Sequence, residues 1–139
     1  MNWQEIKEKP SGTILHDEFD EGIRFIVMRG PSSLCAYVGV PIDHPLAGFN
    51  YEDLRVRAHG GLTFAGGGKG DGKYRPKDFY WYGWDYGHSG DKSFYYDDCP
   101  ELLNLSDREW LIEDVIADSW ETISDFKELA KLAEKIKSK

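Results

Sequence analysis

The chain has no apolar run approaching the roughly 20 residues that a membrane-spanning helix requires, so no such span is expected. Its first residues, Met1-Asn2-Trp3-Gln4-Glu5, lack the basic-then-apolar pattern of a secretion signal, and a cytoplasmic location is expected. Cysteine is scarce. Cys35 and Cys99 are the two present, and neither belongs to a C-x-x-C pair. The spacing of a zinc ribbon or a thioredoxin-type site is therefore missing, and two reduced thiols are expected. Basic charge is also short: 17 Lys+Arg stand against 25 Asp+Glu in 139 residues, a formal charge of -8. That balance argues against a nucleic-acid polymer as partner, because such binding rests on neutralising phosphates with Lys and Arg. What the chain does have is 40% hydrophobic and 14% aromatic residues, enough to pack one core in a single domain over 1–139.

Local pattern gives the order of elements. Trp3 to Lys9 reads as a short amphipathic helix stopped by Pro10-Ser11-Gly12. Thr13–His16 and Ile23–Met28 read as strands joined by a hairpin at Asp20-Glu21-Gly22, and Leu34–Val40 as a third strand closed by Pro41. A loop spans Pro41 to Gly48. Leu54, Val56 and Ala58 alternate with Arg55, Arg57 and His59, the period of a strand with one wet face. Gly60-Gly61 breaks it, Leu62–Ala65 resumes extended structure, and the glycine-rich run Gly66 to Lys73 predicts a flexible loop. Phe79–Trp84 is an aromatic strand, followed by an irregular stretch from Gly87 to Leu105. Ser106-Asp107-Arg108-Glu109 has the capping-box pattern and predicts the start of a helix, continuous or interrupted near 118–124. Toward the end, Phe126, Leu129, Ala130, Leu132, Ala133 and Ile136 share one helical face, with Lys127, Lys131 and Lys135 opposite as a solvated row. Strands early and a helix late predict an α+β fold, a largely antiparallel sheet with the C-terminal helix packed on one face.

The charge is unevenly spread. From Arg24 to Lys77, eight basic residues stand against four acidic ones, so this region favours a small anion inside an otherwise acidic protein. Gly67-x4-Gly72-Lys73 spells the start of a P-loop, but Tyr74 replaces the magnesium-holding Ser or Thr, and Pro76 opposes the helix that must follow. The milder idea, glycine N–H groups beside Lys69 and Lys73 meeting a phosphate, remains. Gly87-His88-Ser89-Gly90 is not a nucleophile elbow, since Asp91 stands where the last glycine belongs, and Asp85 to Asp91 lacks the oxygen spacing of an EF-hand loop.

Two segments carry the chemistry: His59-Gly60-Gly61-Leu62-Thr63-Phe64 and Trp81-Tyr82-Gly83-Trp84-Asp85-Tyr86-Gly87-His88-Ser89-Gly90-Asp91. In each, glycines let the backbone turn sharply beside a titratable side chain. The second delivers aromatics on a strand and places Asp85, His88 and Asp91 on the loop past its end, where a rigid sheet presents binding groups. If the Leu62 strand pairs with the Trp81 strand, His59 and His88 meet at one edge, and His44 is a candidate third imidazole. Such a cluster supports three readings. Two or three histidines with a carboxylate suit zinc or another transition metal that activates water. The same groups suit binding without chemistry, with aromatics stacking a base while His and Asp bond its polar edges. Alternatively the histidines merely cap turns.

The same segments resemble a family of small bacteriophage and prophage proteins. The resemblance rests on Tyr-Val-x-Val-Pro and His-Pro-Leu within Tyr37 to Leu46, and on Tyr-x-Asp-Leu leading into His-Gly-Gly-Leu-Thr-Phe from Tyr51 to Phe64. It continues with a Gly-Phe-Asp-x-x-His-x-Gly-Asp pattern over Gly83 to Asp91 and a terminal helix bearing Leu132-Ala133. Trp84 stands where that family usually has Phe, and Tyr86 where Cys is common, while the His and Asp positions are kept. The resemblance implies a phage-type accessory protein. Small phage proteins of this kind include sequesterers of host immune signals, which implies a nucleotide-like ligand.

The expectation is therefore a module binding a small anionic, nucleotide-like molecule. Its lining is His59, Gly60, Gly61, Thr63, Trp81, Trp84, Asp85, His88 and Asp91, with Arg24, Arg55, Arg57 or Lys73 near phosphate. The runner-up is a hydrolase, metal-dependent or His/Asp, using His59, His88, Asp85 and Asp91. A third reading is an inhibitor working through a protein interface, and the aromatic content also suits a homo-oligomer.

Overall fold

The computed structural model describes residues 1–67, 78–94 and 107–137. The loop around Lys69, Lys73, Arg75 and Lys77, the thiol of Cys99, the stretch 95–105 and Ser106 lie outside the described residues.

The element order is α1 (Trp3–Glu8), β1 (Ile14–Asp20), β2 (Ile23–Arg29), β3 (Leu34–Pro41), β4 (Phe64–Gly67), β5 (Phe79–Asp85) and α2 (Ile112–Lys137). Helix α1 opens with a complete capping box, in which Asn2 accepts from the Glu5 N–H and Glu5 accepts from the Asn2 N–H. The β1–β2 hairpin closes on Glu21 and Gly22, at φ 51 and 85, the left-handed pair that a two-residue turn needs to match strand twist. The five strands form one antiparallel sheet in the order β1-β2-β3-β5-β4.

Alternation along the strands sorts side chains onto two faces. Phe25 and Val27 of β2, Ala36 and Val38 of β3, and Tyr82 and Trp84 of β5 enter the main core with Trp3, Ile6, Val115, Ile123 and Phe126 from the helices. Ile26, Met28 and Trp81 point the other way and pack with Tyr37, Phe64 and Phe79. Both helices thus cover one face, and α2 packs across β2 and β3, so the expected α+β architecture holds. No helix among the described residues is long and apolar enough to cross a membrane.

Four local expectations are corrected. Leu54 to Ala58 is extended and alternates in burial as expected, but it is not a strand. Helix α2 takes the place of a neighbouring strand: Asp125 accepts from the Arg57 N–H at 2.7 Å, and the Thr122 hydroxyl donates to the Arg57 carbonyl. The final helix starts at Ile112 rather than at the 106–109 pattern, and runs unbroken to Lys137. Arg108 instead joins Asp91 in an isolated parallel bridge, and the Leu111 N–H donates to Asp114 at 2.9 Å. On α2, Phe126 is buried and Leu129, Ala130 and Ala133 pack against the core, but Leu132 and Ile136 are exposed. The lysine row is not wholly solvated either, since Lys127 pairs with Asp20 and Glu21 of the hairpin.

Candidate functional site

Two turns build the site. Gly61 N–H donates to the Ala58 carbonyl at 2.9 Å, closing a turn with His59 second and Gly60 third, at φ 72. Only glycine takes that third position without strain. Space demands it as well, because a Cβ on Gly60 would stand 2.5 Å from the His88 ring. The second turn joins His88 to Asp91, with the Asp91 N–H on the His88 carbonyl at 2.9 Å and Gly90 at φ 92. The sheet brings the two turns together. Phe64 pairs with Gly83, and the Thr63 N–H donates to the Gly83 carbonyl at 2.9 Å, so the segment before β4 and the segment after β5 leave the same edge.

Asp91 is the centre of the assembly, with its side chain only 5% exposed. Its Oδ2 lies 2.8 Å from His59 Nε2, 3.2 Å from His88 Nδ1 and 3.0 Å from the His88 N–H, which donates to it. Its Oδ1 accepts from the Trp110 indole N–H at 2.8 Å. Burial pushes the carboxyl pKa up, but hydrogen bonds from His59, the His88 N–H and Trp110 outweigh it and hold the group below its ordinary value. Asp91 is therefore a carboxylate, able only to accept. Asp85 stands outside this ring: its Oδ1 accepts from the Gly87 N–H at 2.9 Å and lies 3.7 Å from His88 Nε2.

Aromatic side chains fix the rings. His59 stacks on Tyr86 with centroids 4.6 Å apart and planes 7° from parallel, and Trp110 lies 4.6 Å away on a tilt. The buried Tyr86 hydroxyl accepts from the Trp84 indole at 3.2 Å and donates to Asp118 at 2.8 Å. Burial raises its pKa far beyond the ordinary phenol range, so it stays a neutral donor. The Arg108 guanidinium covers the Trp110 ring at 3.6 Å. Beside His59 opens a cleft of about 260 Å³ lined by Arg57, Ala58, His59, Trp110, Asp118 and Glu121.

The structure brings together His59, Gly60, Asp85, His88 and Asp91 from the expected set, and adds Arg57 at the cleft. Gly61 sits at φ 86 in the His59 turn, and Thr63 is exposed and tied to the sheet. Trp81 and Trp84 do not line the cleft: Trp81 is buried on the opposite sheet face and Trp84 within the main core. Arg55 is exposed and also absent from its lining. Arg24 is bound to Asp17, and Arg57 to Asp125 at 3.1 Å, so neither is an uncommitted phosphate ligand. His44 is not a third imidazole here. Its Nδ1 accepts from the Leu46 N–H at 3.1 Å, burial lowers its pKa, and it lines a separate cleft of about 490 Å³ with Lys127 and Lys131.

Sequence reasoning missed Trp110, Tyr86 and Asp118. Trp110 reaches Asp91 because the Asp91–Arg108 bridge lays residues 108–110 alongside the second turn, which no local pattern signals. As a donor set, one ligand atom each from His59, His88 and Asp91 lie within 4.8 Å of one another, the spacing of a metal-binding group. Neither a family model, nor a curated protein, nor a solved structure matches the chain.

Proposed function

We propose that this chain is a small hydrolase whose reaction centre is His59, His88 and Asp91, and whose substrate is a small nucleotide-like molecule held in the adjoining cleft. One observation carries the reading: two imidazoles approach the same oxygen of a buried carboxylate, at 2.8 and 3.2 Å. A carboxylate of this kind orients imidazoles so that one can remove a proton from water while the other protonates the departing group. Arg57 at the cleft is already paired with Asp125, while the Asp118 and Glu121 carboxylates suit hydroxyl or amino groups of a sugar or base.

Passive capture by base stacking draws less support. Trp81 and Trp84 are buried, and Trp110 is already packed by Arg108, His59 and Tyr86. The resemblance to phage accessory proteins then fits removal of a host signalling nucleotide by cleavage better than by storage.

The test is turnover of nucleotides, cyclic nucleotides and ADP-ribose derivatives, followed by chromatography of the products. Wild type is expected to cleave at least one, and His59→Ala and His88→Ala to lose roughly 10²–10⁴-fold in rate. Binding without turnover in wild type would return the chain to a sequestering role, and cleavage undiminished in both variants would place the chemistry elsewhere.

A further inference from the structure

We infer that His59 Nε2, His88 Nδ1 and Asp91 Oδ2 form a site for one divalent transition-metal ion of the zinc class. The inference rests on the same side chains as the proposed hydrolase, which with an ion bound would serve as ligands instead of as base and acid while the ion activated water, but it does not require that hydrolysis occur.

Donors crowd at one atom. Asp91 Oδ2 faces His59 Nε2 at 2.8 Å, the His88 N–H at 3.0 Å and His88 Nδ1 at 3.2 Å, while Oδ1 receives a single donor. Two ring protons thus converge where one dication would serve both imidazoles and the carboxylate. Donors about 2.0–2.1 Å from a tetrahedral zinc stand about 3.3 Å apart, which compares with 2.8 and 3.2 Å for the two nitrogen–oxygen pairs, and all three atoms lie within 4.8 Å of one another.

Further partners stand behind the donors. Metal-bound imidazoles characteristically offer the other ring nitrogen to a carboxylate or carbonyl. His88 presents Nδ1 to Asp91 and Nε2 toward Asp85 Oδ1, 3.7 Å away. Asp91 is itself steadied by the Trp110 indole and the His88 N–H. Gly60 keeps the His88 ring in place by leaving no Cβ in its path.

Charge points the same way. The nearby carboxylates of Asp85, Asp118 and Glu121 favour a cation, and the neighbouring cations are engaged elsewhere, Arg57 by Asp125 and Arg108 by Asp114. Two nitrogens and one oxygen favour zinc, cobalt or nickel over magnesium or calcium. Three protein ligands leave a coordination position free, and the side chains of His59 and His88 are 24% and 36% exposed, so that position is reachable by water or substrate.

The test uses the full chain, stripped with a chelator and titrated with Zn(II) by calorimetry and with Co(II) by visible absorption. One ion per chain is expected, with the intense absorption of four-coordinate cobalt. Affinity should fall at least tenfold in His59→Ala and His88→Ala and stay unchanged in His44→Ala. Should the variants fail to fold, imidazole ¹H–¹⁵N spectra of wild type give the same answer. Zinc is expected to shift His59 and His88 and to leave His16 and His44 alone. No uptake, uptake equal in all three variants, or shifts confined to His16 and His44 would overturn the inference. Metal binding without turnover leaves the site standing and removes the hydrolase. Turnover that survives chelation in a chain that takes up no metal does the reverse.

Discussion

Gly60 lies directly beneath the imidazole of His88, so closely that a Cβ on it would stand 2.5 Å from the ring. Its neighbour Gly61 has an equally left-handed backbone, at φ 86, but nothing within 4 Å of its Cβ position. The pair separates two effects of adding one methyl group. Gly61→Ala is expected to cost about 1–2 kcal/mol of stability from backbone strain alone. Gly60→Ala should add to that the displacement of His88, visible as an altered imidazole spectrum. Denaturant midpoints with NMR of the ring protons check both, and an unshifted His88 in Gly60→Ala would contradict the packing described.

Tyr86→Phe removes a hydroxyl held between the Trp84 indole and Asp118, and leaves the ring that stacks on His59. Two partners lose a bond in a buried setting, so a loss of about 1–3 kcal/mol is expected in equilibrium unfolding. His59 should remain in place, because its stacking surface and its bond to Asp91 are untouched.

The Arg57–Asp125 pair makes stability depend on acid. Hydrogen bonds from the Arg57 guanidinium and its backbone N–H hold the Asp125 carboxyl below its ordinary value. A carboxyl with a depressed folded-state pKa stabilises the protein above its unfolded pKa and loses that contribution as pH falls through the folded one. Asp125→Asn should therefore be less stable than wild type near neutrality, with the gap closing below the usual carboxylate range. A gap that stays constant from neutrality into strong acid would contradict the assignment.

Cys35 is expected to be an inert thiol. Burial, assisted by the nearby charge of Asp85, pushes its pKa up to about 11, so little thiolate exists at pH 8. In a Cys99→Ser background, disulfide-exchange labelling of native protein should be slow and should accelerate sharply on unfolding.

Where neighbours in sequence are neighbours in space, the pattern was readable. The hairpin at Glu21-Gly22 is announced by turn residues between two apolar runs, and the aromatic strand by its own composition. The meeting of His59 and His88 followed from one pairing, the Leu62 segment against the Trp81 strand, which the Phe64–Gly83 register realises. What distant partners decide was not readable. The alternation from Leu54 to Ala58 looks like a strand because one side of it is buried, yet the partner supplying its hydrogen bonds is a helix whose Thr122 and Asp125 lie more than sixty residues away. The aromatics mislead for a related reason. Period-2 alternation shows that Trp81 and Trp84 face opposite sides, but not which side bears a cleft. Trp110, which does border it, sits in a stretch whose sequence promised a helix start.

The attachment of residues 54–58 to α2 has one more outcome. Leu54, Val56 and Ala58 rest on the core while Thr122 and Asp125 grip the Arg57 backbone, so helix α2 as well as the sheet sets where His59 stands against Asp91.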